Sequence, residues 1–285
     1  MNNERGRLIN VGYRMLGSYS DAEDAASEAL VRWYRLTEAE RNAIDVPAAW
    51  LTRVVSRICL DVLASARVRR EKYVGQWLPE PISGLGADNV TATDPADRVA
   101  QQESVTMALL VVLESLTPAQ RVAFVLHDAF AVPFDEIATV LDRSPAACRQ
   151  LASAARTQVH SRRSSADPRE HDRVVRAFAA ASGGGDIASL VSLLAPDVTL
   201  ISDGGGVVSA ARNPVVGSDR VARFIRGVAE KSRALEWSIE SVNGLSGIVA
   251  RSNRVVVGVM GFATSNGSVS DVWIVLNPDK LRHWR

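Results

Sequence analysis

Acid–base catalysis needs a carboxylate or imidazole set against a second polar group. Beyond residue 167 this chain offers Asp203, Asp271 and Asp279 with only two histidines, His171 and His283, near opposite ends of that stretch. No His–Asp pair converges by spacing, so no catalytic residues are expected. Asp203-Gly204-Gly205-Gly206 lacks the downstream Lys-Ser/Thr and the strand-to-helix junction of a phosphate loop; it fits a glycine-rich turn leaving a strand. Cys59 and Cys148 sit among helix-pattern apolar residues and are expected as buried free thiols, with no metal site. What remains is cationic. Arg67, Arg69, Arg70 and Lys72 are opposed only by Glu71, and Arg143, Arg149, Arg156, Arg162 and Arg163 lie in a stretch without an acid from 143 to 166. Such patches suit nucleic acid.

The whole chain does not look like a protein that holds nucleic acid by bulk charge. Its net charge is +1, and residues 1–165 carry 19 Lys+Arg against 20 Asp+Glu. Any DNA binding must therefore come from the local patches, with help from a partner. Composition is that of an ordinary soluble protein, 47% hydrophobic and 23% charged. Among the longest apolar runs is ALLVVL (108–113), too short to span a bilayer, and MNNERGR has no apolar signal region. A cytoplasmic location without membrane contact is expected.

The patches need elements to position them. From 8 to 73 the pattern is helical: Ala22, Ala25, Ala26, Ala29, Leu30 and Trp33 recur at three- and four-residue spacing, and a strong helix follows Pro47 with Trp50 on its apolar face. Between 74 and 100 prolines and glycines break the pattern, yet QWLPEP (76–81) is an apolar island in that connector. Thr117-Pro118-Ala119-Gln120 and Ser144-Pro145 are helix starts, and 134–159 has the length of two helices joined by a tight turn. The second would point Arg149, Gln150, Ser153 and Arg156 outward, as in a helix-turn-helix. After SRRSSADPRE (161–170) come helices at about 169–181 and 187–194, with Asp186 as N-cap, then strand-like runs at 198–202, 238–242, 247–250, 254–263 and 269–276 with a helix at about 217–231 between them. That is an α+β domain with a curved antiparallel sheet.

GSYSDAEDAASEALVRWYR (17–35) and AWLTRVVSRICLDVLASARVRREKYV (49–74) resemble regions 2.1–2.2 and 2.3–2.4 of extracytoplasmic-function sigma factors, and 115–159 resembles region 4. The remainder resembles the SnoaL-like, nuclear-transport-factor-2-type cone, and the subgroup with that extension is marked by WLPEP, DGGG and NPDKL, all present at 77–81, 203–206 and 277–281. The resemblance implies a multidomain chain: an all-α region 2 bundle (1–73), a linker (74–103), an all-α region 4 helix-turn-helix (104–165) and an α+β cone (168–285).

It also implies roles. Arg149, Gln150, Ser153 and Arg156 would meet the −35 element; Arg53, Arg57, Arg67, Arg69 and Arg70 would meet the −10 element. Val62 and Ala64 stand where the family often has basic residues, so promoter binding should be salt-sensitive. Asp21, Glu23, Asp24 and Glu28 would dock on core RNA polymerase, whose β and β′ subunits are the expected partners alongside promoter DNA. The interdomain contact would join Trp77, Leu78, Pro79, Glu80 and Pro81 to Asp203, Gly204, Gly205 and Gly206 and to Asn277, Pro278, Asp279, Lys280 and Leu281, with the extension regulating the sigma core in cis. No cofactor is implied; the cone leaves room for an unidentified small-molecule ligand. The rival expectation is a DNA-binding module fused to a small isomerase- or cyclase-type enzyme.

Overall fold

The computed structural model describes residues 2–71, 73–83, 105–162 and 167–284, side chains excepted at 2–3, 66–71 and 161–162. Its contacts divide it into two units. Of the described residues, one holds 2–71 and 110–162; the other holds 73–83, 105–109 and 167–284.

The first unit is helical. Helices α1 (Asn2–Leu16), α2 (Tyr19–Arg35), α3 (Glu38–Asn42) and α4 (Pro47–Glu71) come first, and α1, α2 and α4 pack on one another. The alanine spacing seen in the sequence is the reason they approach so closely: Ala22, Ala25, Ala26 and Ala29 are all buried. A Cβ at Gly12 would meet the Ala22 side chain at 3.0 Å. Ser18 caps α2 through the Asp21 amide (3.2 Å), and Trp33 and Trp50 pack with ring centroids 5.4 Å apart. Trp50 is thus a packing residue, as its apolar face suggested.

Helices α5 (Met107–Glu114), α6 (Pro118–Phe124), α7 (Phe134–Leu141) and α8 (Pro145–Arg162) follow, with a wide helical turn at Val125–Ala129. The Thr117 start signal is a complete capping box: Thr117 Oγ1 accepts from the Gln120 amide and Gln120 Oε1 accepts from the Thr117 amide. Asp142, left-handed at φ 51°, turns α7 into α8. Helix α4 also packs on α6 and α7. Arg121 ties them further, its buried guanidinium donating to the Met15 carbonyl at 2.9 Å and to Glu114 at 2.6 Å. Burial pulls its pKa down to about 10. Cys59 and Cys148 are buried free thiols, that of Cys59 pushed up to about 12 by desolvation.

The second unit carries α9 (Pro168–Gly184), α10 (Ile187–Leu193) and α11 (Ser218–Lys231) against a six-stranded sheet. Its strands are β1 (Leu194–Asp203), β2 (Val215–Val216), β3 (Glu236–Val242), β4 (Leu245–Ser252), β5 (Val255–Ser265) and β6 (Ser268–Val275), in the order β2-β1-β6-β5-β4-β3. Three tight turns at Asn243-Gly244, Asn253-Arg254 and Asn266-Gly267, all with positive φ, make the β3–β6 meander. The sheet is not wholly antiparallel as expected: β1 runs parallel to β6, because a helical crossover separates them in sequence. Phe178, Leu190, Leu200, Val221, Phe262 and Val272 fill the space between helices and sheet.

Candidate functional site

Strand β1 ends at Asp203, whose side chain is fully buried. A carboxylate taken out of water must be met by donors, and four are present. Oδ1 accepts from the Tyr73 hydroxyl at 2.5 Å and the Gly205 amide at 3.0 Å; Oδ2 accepts from the Leu78 amide at 2.9 Å and Lys280 Nζ at 2.7 Å. The three short motifs therefore meet at one carboxylate. Lys280 Nζ also donates to the Leu78 carbonyl and lies 4.0 Å from the centroid of the Trp77 ring. Leu78 is buried, with Pro79, Glu80 and Pro81 beside it, while Trp77 is half-buried and faces the ammonium. The two prolines stiffen a segment whose Leu78 and Ile82 amides are both used, and the Pro81 carbonyl accepts from Trp284 Nε1 at 2.8 Å. Glu80, buried, lies 3.7 Å from His283.

The glycines are used for space. A Cβ on Gly204 would fall 2.0 Å from the Val208 carbonyl oxygen, and one on Gly205 (φ +64°) 2.5 Å from the Asn277 amide carbon. Asn277 in turn accepts from the Asp279 amide through Oδ1 and donates to Tyr73 through Nδ2 at 2.9 Å. Burial and the neighbouring Asp203 carboxylate both raise the Tyr73 pKa, which keeps its hydroxyl a donor.

Two participants were not expected from the sequence. Tyr73 closes the stretch with a helical pattern, and Asn243 lies between two strand-like runs. Asn243 is buried, its backbone amide donating to the Ile82 carbonyl at 2.9 Å. Its side chain accepts from the Ile82 amide at 3.2 Å and donates to the Val105 carbonyl at 2.9 Å. One side chain thus holds both ends of the chain stretch between Ile82 and Val105. A single polar residue in a hairpin turn carries no signal that would announce this.

Beside this cluster the cone encloses a cavity of about 630 Å³. Its walls include Arg223 and Lys231 but no Asp, Glu or His. His171 lies elsewhere, with Nε2 donating to the Ser246 carbonyl at 2.9 Å and Nδ1 bonded to the Thr264 hydroxyl at 3.0 Å. Asp279 pairs with Arg282, and Asp271 lies on β6 beside Ser270.

In the helical unit, α8 exposes Arg149, Gln150 and Ser153. Arg149 lies over the Phe134 ring at 5.6 Å, and Arg156 makes a two-pronged pair with Asp128 at 2.8 and 3.1 Å. On α4, Arg57 Nη2 donates to the Thr139 carbonyl at 2.8 Å, and Arg53 lines a small gap with Leu126, Val132 and Val140. Both side chains are turned onto α7, that of Arg53 also towards Leu126 and Val132 before it. The side chains of Arg67, Arg69 and Arg70 lie outside the described residues. On α2, Asp24 and Glu28 are exposed, Asp21 and Glu23 half-buried; Glu28 pairs with Arg32 and Glu23 with Arg5. Among the described residues no helix is long and apolar enough to cross a membrane, and no cluster of three or more metal-ligating side chains occurs.

Residues 1–69 match the family model for Sigma-70 region 2, 106–159 that for Sigma-70 region 4, and 175–276 that for a SnoaL-like domain. The chain is 42% identical to the ECF RNA polymerase sigma factor SigJ of Mycobacterium tuberculosis, across 97% of this chain and 90% of that protein. It is 35% identical to the probable ECF RNA polymerase sigma factor SigI of the same species, across 97% and 92%. The crystal structure of SigJ superposes with a TM-score of 0.76, covering 97% of this chain and 95% of that one.

Proposed function

The chain belongs to the extracytoplasmic-function RNA polymerase sigma factors, and we propose that its C-terminal cone restrains initiation in cis by latching the linker between the two sigma regions. Sigma factors of this family direct promoter-specific initiation by core RNA polymerase, and the present chain carries both sigma regions. The observation that supports the latch is the Asp203 carboxylate, which draws Tyr73, Leu78 and Lys280 onto one buried point. Without such anchors the stretch between Glu71 and Val105 could extend by roughly 3.3–3.6 Å per residue, on the order of 100 Å in total. With Ile82 and Val105 both on Asn243, that reach is removed. Region 2 and region 4 must be set apart to read two promoter elements at once, so a pinched linker opposes initiation.

In this proposal Arg149, Gln150 and Ser153 read the −35 element, and Arg53, Arg57, Arg67, Arg69 and Arg70 serve the −10 element once Arg53 and Arg57 leave α7. Asp21, Glu23, Asp24 and Glu28 face the polymerase, with β and β′ as the docking subunits, inside the cell. The residues that line the cavity include no carboxylate or imidazole, which favours a regulatory cone over an isomerase or cyclase of this fold.

Run-off transcription with core polymerase tests the proposal. Full-length protein carrying Trp77→Ala and Leu78→Ala should initiate more strongly than wild type from the same promoter. Equal transcript yields from the two proteins would end the latch hypothesis.

A further inference from the structure

We propose that the cone cavity binds an amphipathic anion, an apolar body bearing a carboxylate or similar head, and that occupancy strengthens the linker latch. The second half rests on the latch reading above. Helix α11 presents Arg223, Gly227 and Lys231 at successive four-residue steps, which places them on one stripe. All three line the cavity. The two cations make no ion pair or side-chain hydrogen bond among the described residues, and no acid lines the cavity to neutralise them. Between them is open space: a Cβ added to Gly227 would meet nothing within 4 Å. Deeper in, the walls are apolar, with Phe224, Val259, Met260 and Ile274. An adjoining lobe of about 140 Å³ shares Val228, Trp237, Ile248 and Met260 with it. Exposed cations at one side and apolar walls behind them select a ligand with one charged end.

The link to the latch is a shared wall. Strand β1 sends Ser202 towards the cavity and the next residue, Asp203, to the latch, as alternation along a strand requires. The chain then folds back: Val208 to Ala211 line the cavity, held by the Ala211 amide donating to Ser202 Oγ at 2.8 Å. The same stretch meets the linker. A Cβ on Gly206 would touch Val74 at 3.0 Å, and the Arg212 carbonyl accepts from Gln76 Nε2 at 3.3 Å. The cavity and the latch thus use one conformation of residues 204–212. A ligand that fits this cavity favours that conformation over one with the wall displaced.

The test uses the full chain, with 1-anilinonaphthalene-8-sulfonate as fluorescent probe, decanoate as competitor and decan-1-ol as the uncharged control. One saturable site is expected, displaced by decanoate far more effectively than by decanol. Gly227→Phe should abolish it by filling the gap, and Arg223→Ala with Lys231→Ala should weaken it at least tenfold. Decanoate at ten times its Kd should slow hydrogen exchange at the Leu78 amide about tenfold if it binds only the latched form. Absence of a saturable site, or equal displacement by decanol, overturns the anion site. Binding that leaves Leu78 exchange unchanged overturns the shared wall. Asp203→Asn reports on the latch itself: if it leaves Leu78 exchange in the ligand-free protein unaltered, the latch reading fails, whatever the cavity binds.

Discussion

At the scale of single residues, Lys280 and Asp203 carry the largest consequences. Their pair is buried, with side-chain exposures of 11% and 0%. Removing one member strands the other charge, which costs roughly 3–5 kcal/mol, whereas replacing both removes that penalty. Lys280→Met should therefore destabilise the second unit more than Asp203→Asn combined with Lys280→Met, a non-additivity that urea unfolding of the three proteins can measure. Gly205→Ala should also be destabilising, since the residue is left-handed and its Cβ would collide with Asn277; wild-type stability in that variant would contradict the packing described. The sequence announced Asp203-Gly-Gly-Gly as a turn, and the turn is there. It could not announce Tyr73 or Asn243, because their role depends on distant backbone atoms and not on spacing.

At the scale of elements, helices and strands were legible wherever caps or alternation spoke, as at Thr117, Ser144 and Asp186. The parallel β1–β6 pair and the two-residue β2 were not, since strand order depends on tertiary packing. Helix α9 is fastened to β4 and β5 through His171, whose pKa burial lowers below its usual 6.5. The unfolded chain then binds a proton below about pH 6.5 while the folded imidazole stays neutral, so stability is present above that pH and is lost as pH falls. The melting temperature of wild type should drop on acidification from pH 7 to 5 more than that of His171→Asn; parallel pH profiles would refute this. On α8, Arg149 and Gln150 are exposed while Arg156 is committed to Asp128. Gln150→Ala should change base preference at the −35 element, by about 1–3 kcal/mol at one base pair if the contact is bidentate. Arg156→Ala should chiefly reduce stability. Competition binding with single-base operator variants separates the two.

At the scale of the molecule, WLPEP, DGGG and NPDKL are one device written in three places. Their convergence explains an apolar island in a proline-rich connector: Leu78 is buried and its amide and carbonyl are both used. In the proposed mechanism this device is closed in the free protein and opens for initiation. Hydrogen exchange at the Leu78 amide, compared between the free full-length protein and its open complex with core polymerase and promoter DNA, tests it most directly. Strong protection is expected in the free protein, with loss of that protection in the open complex. Equal protection in both states would contradict it.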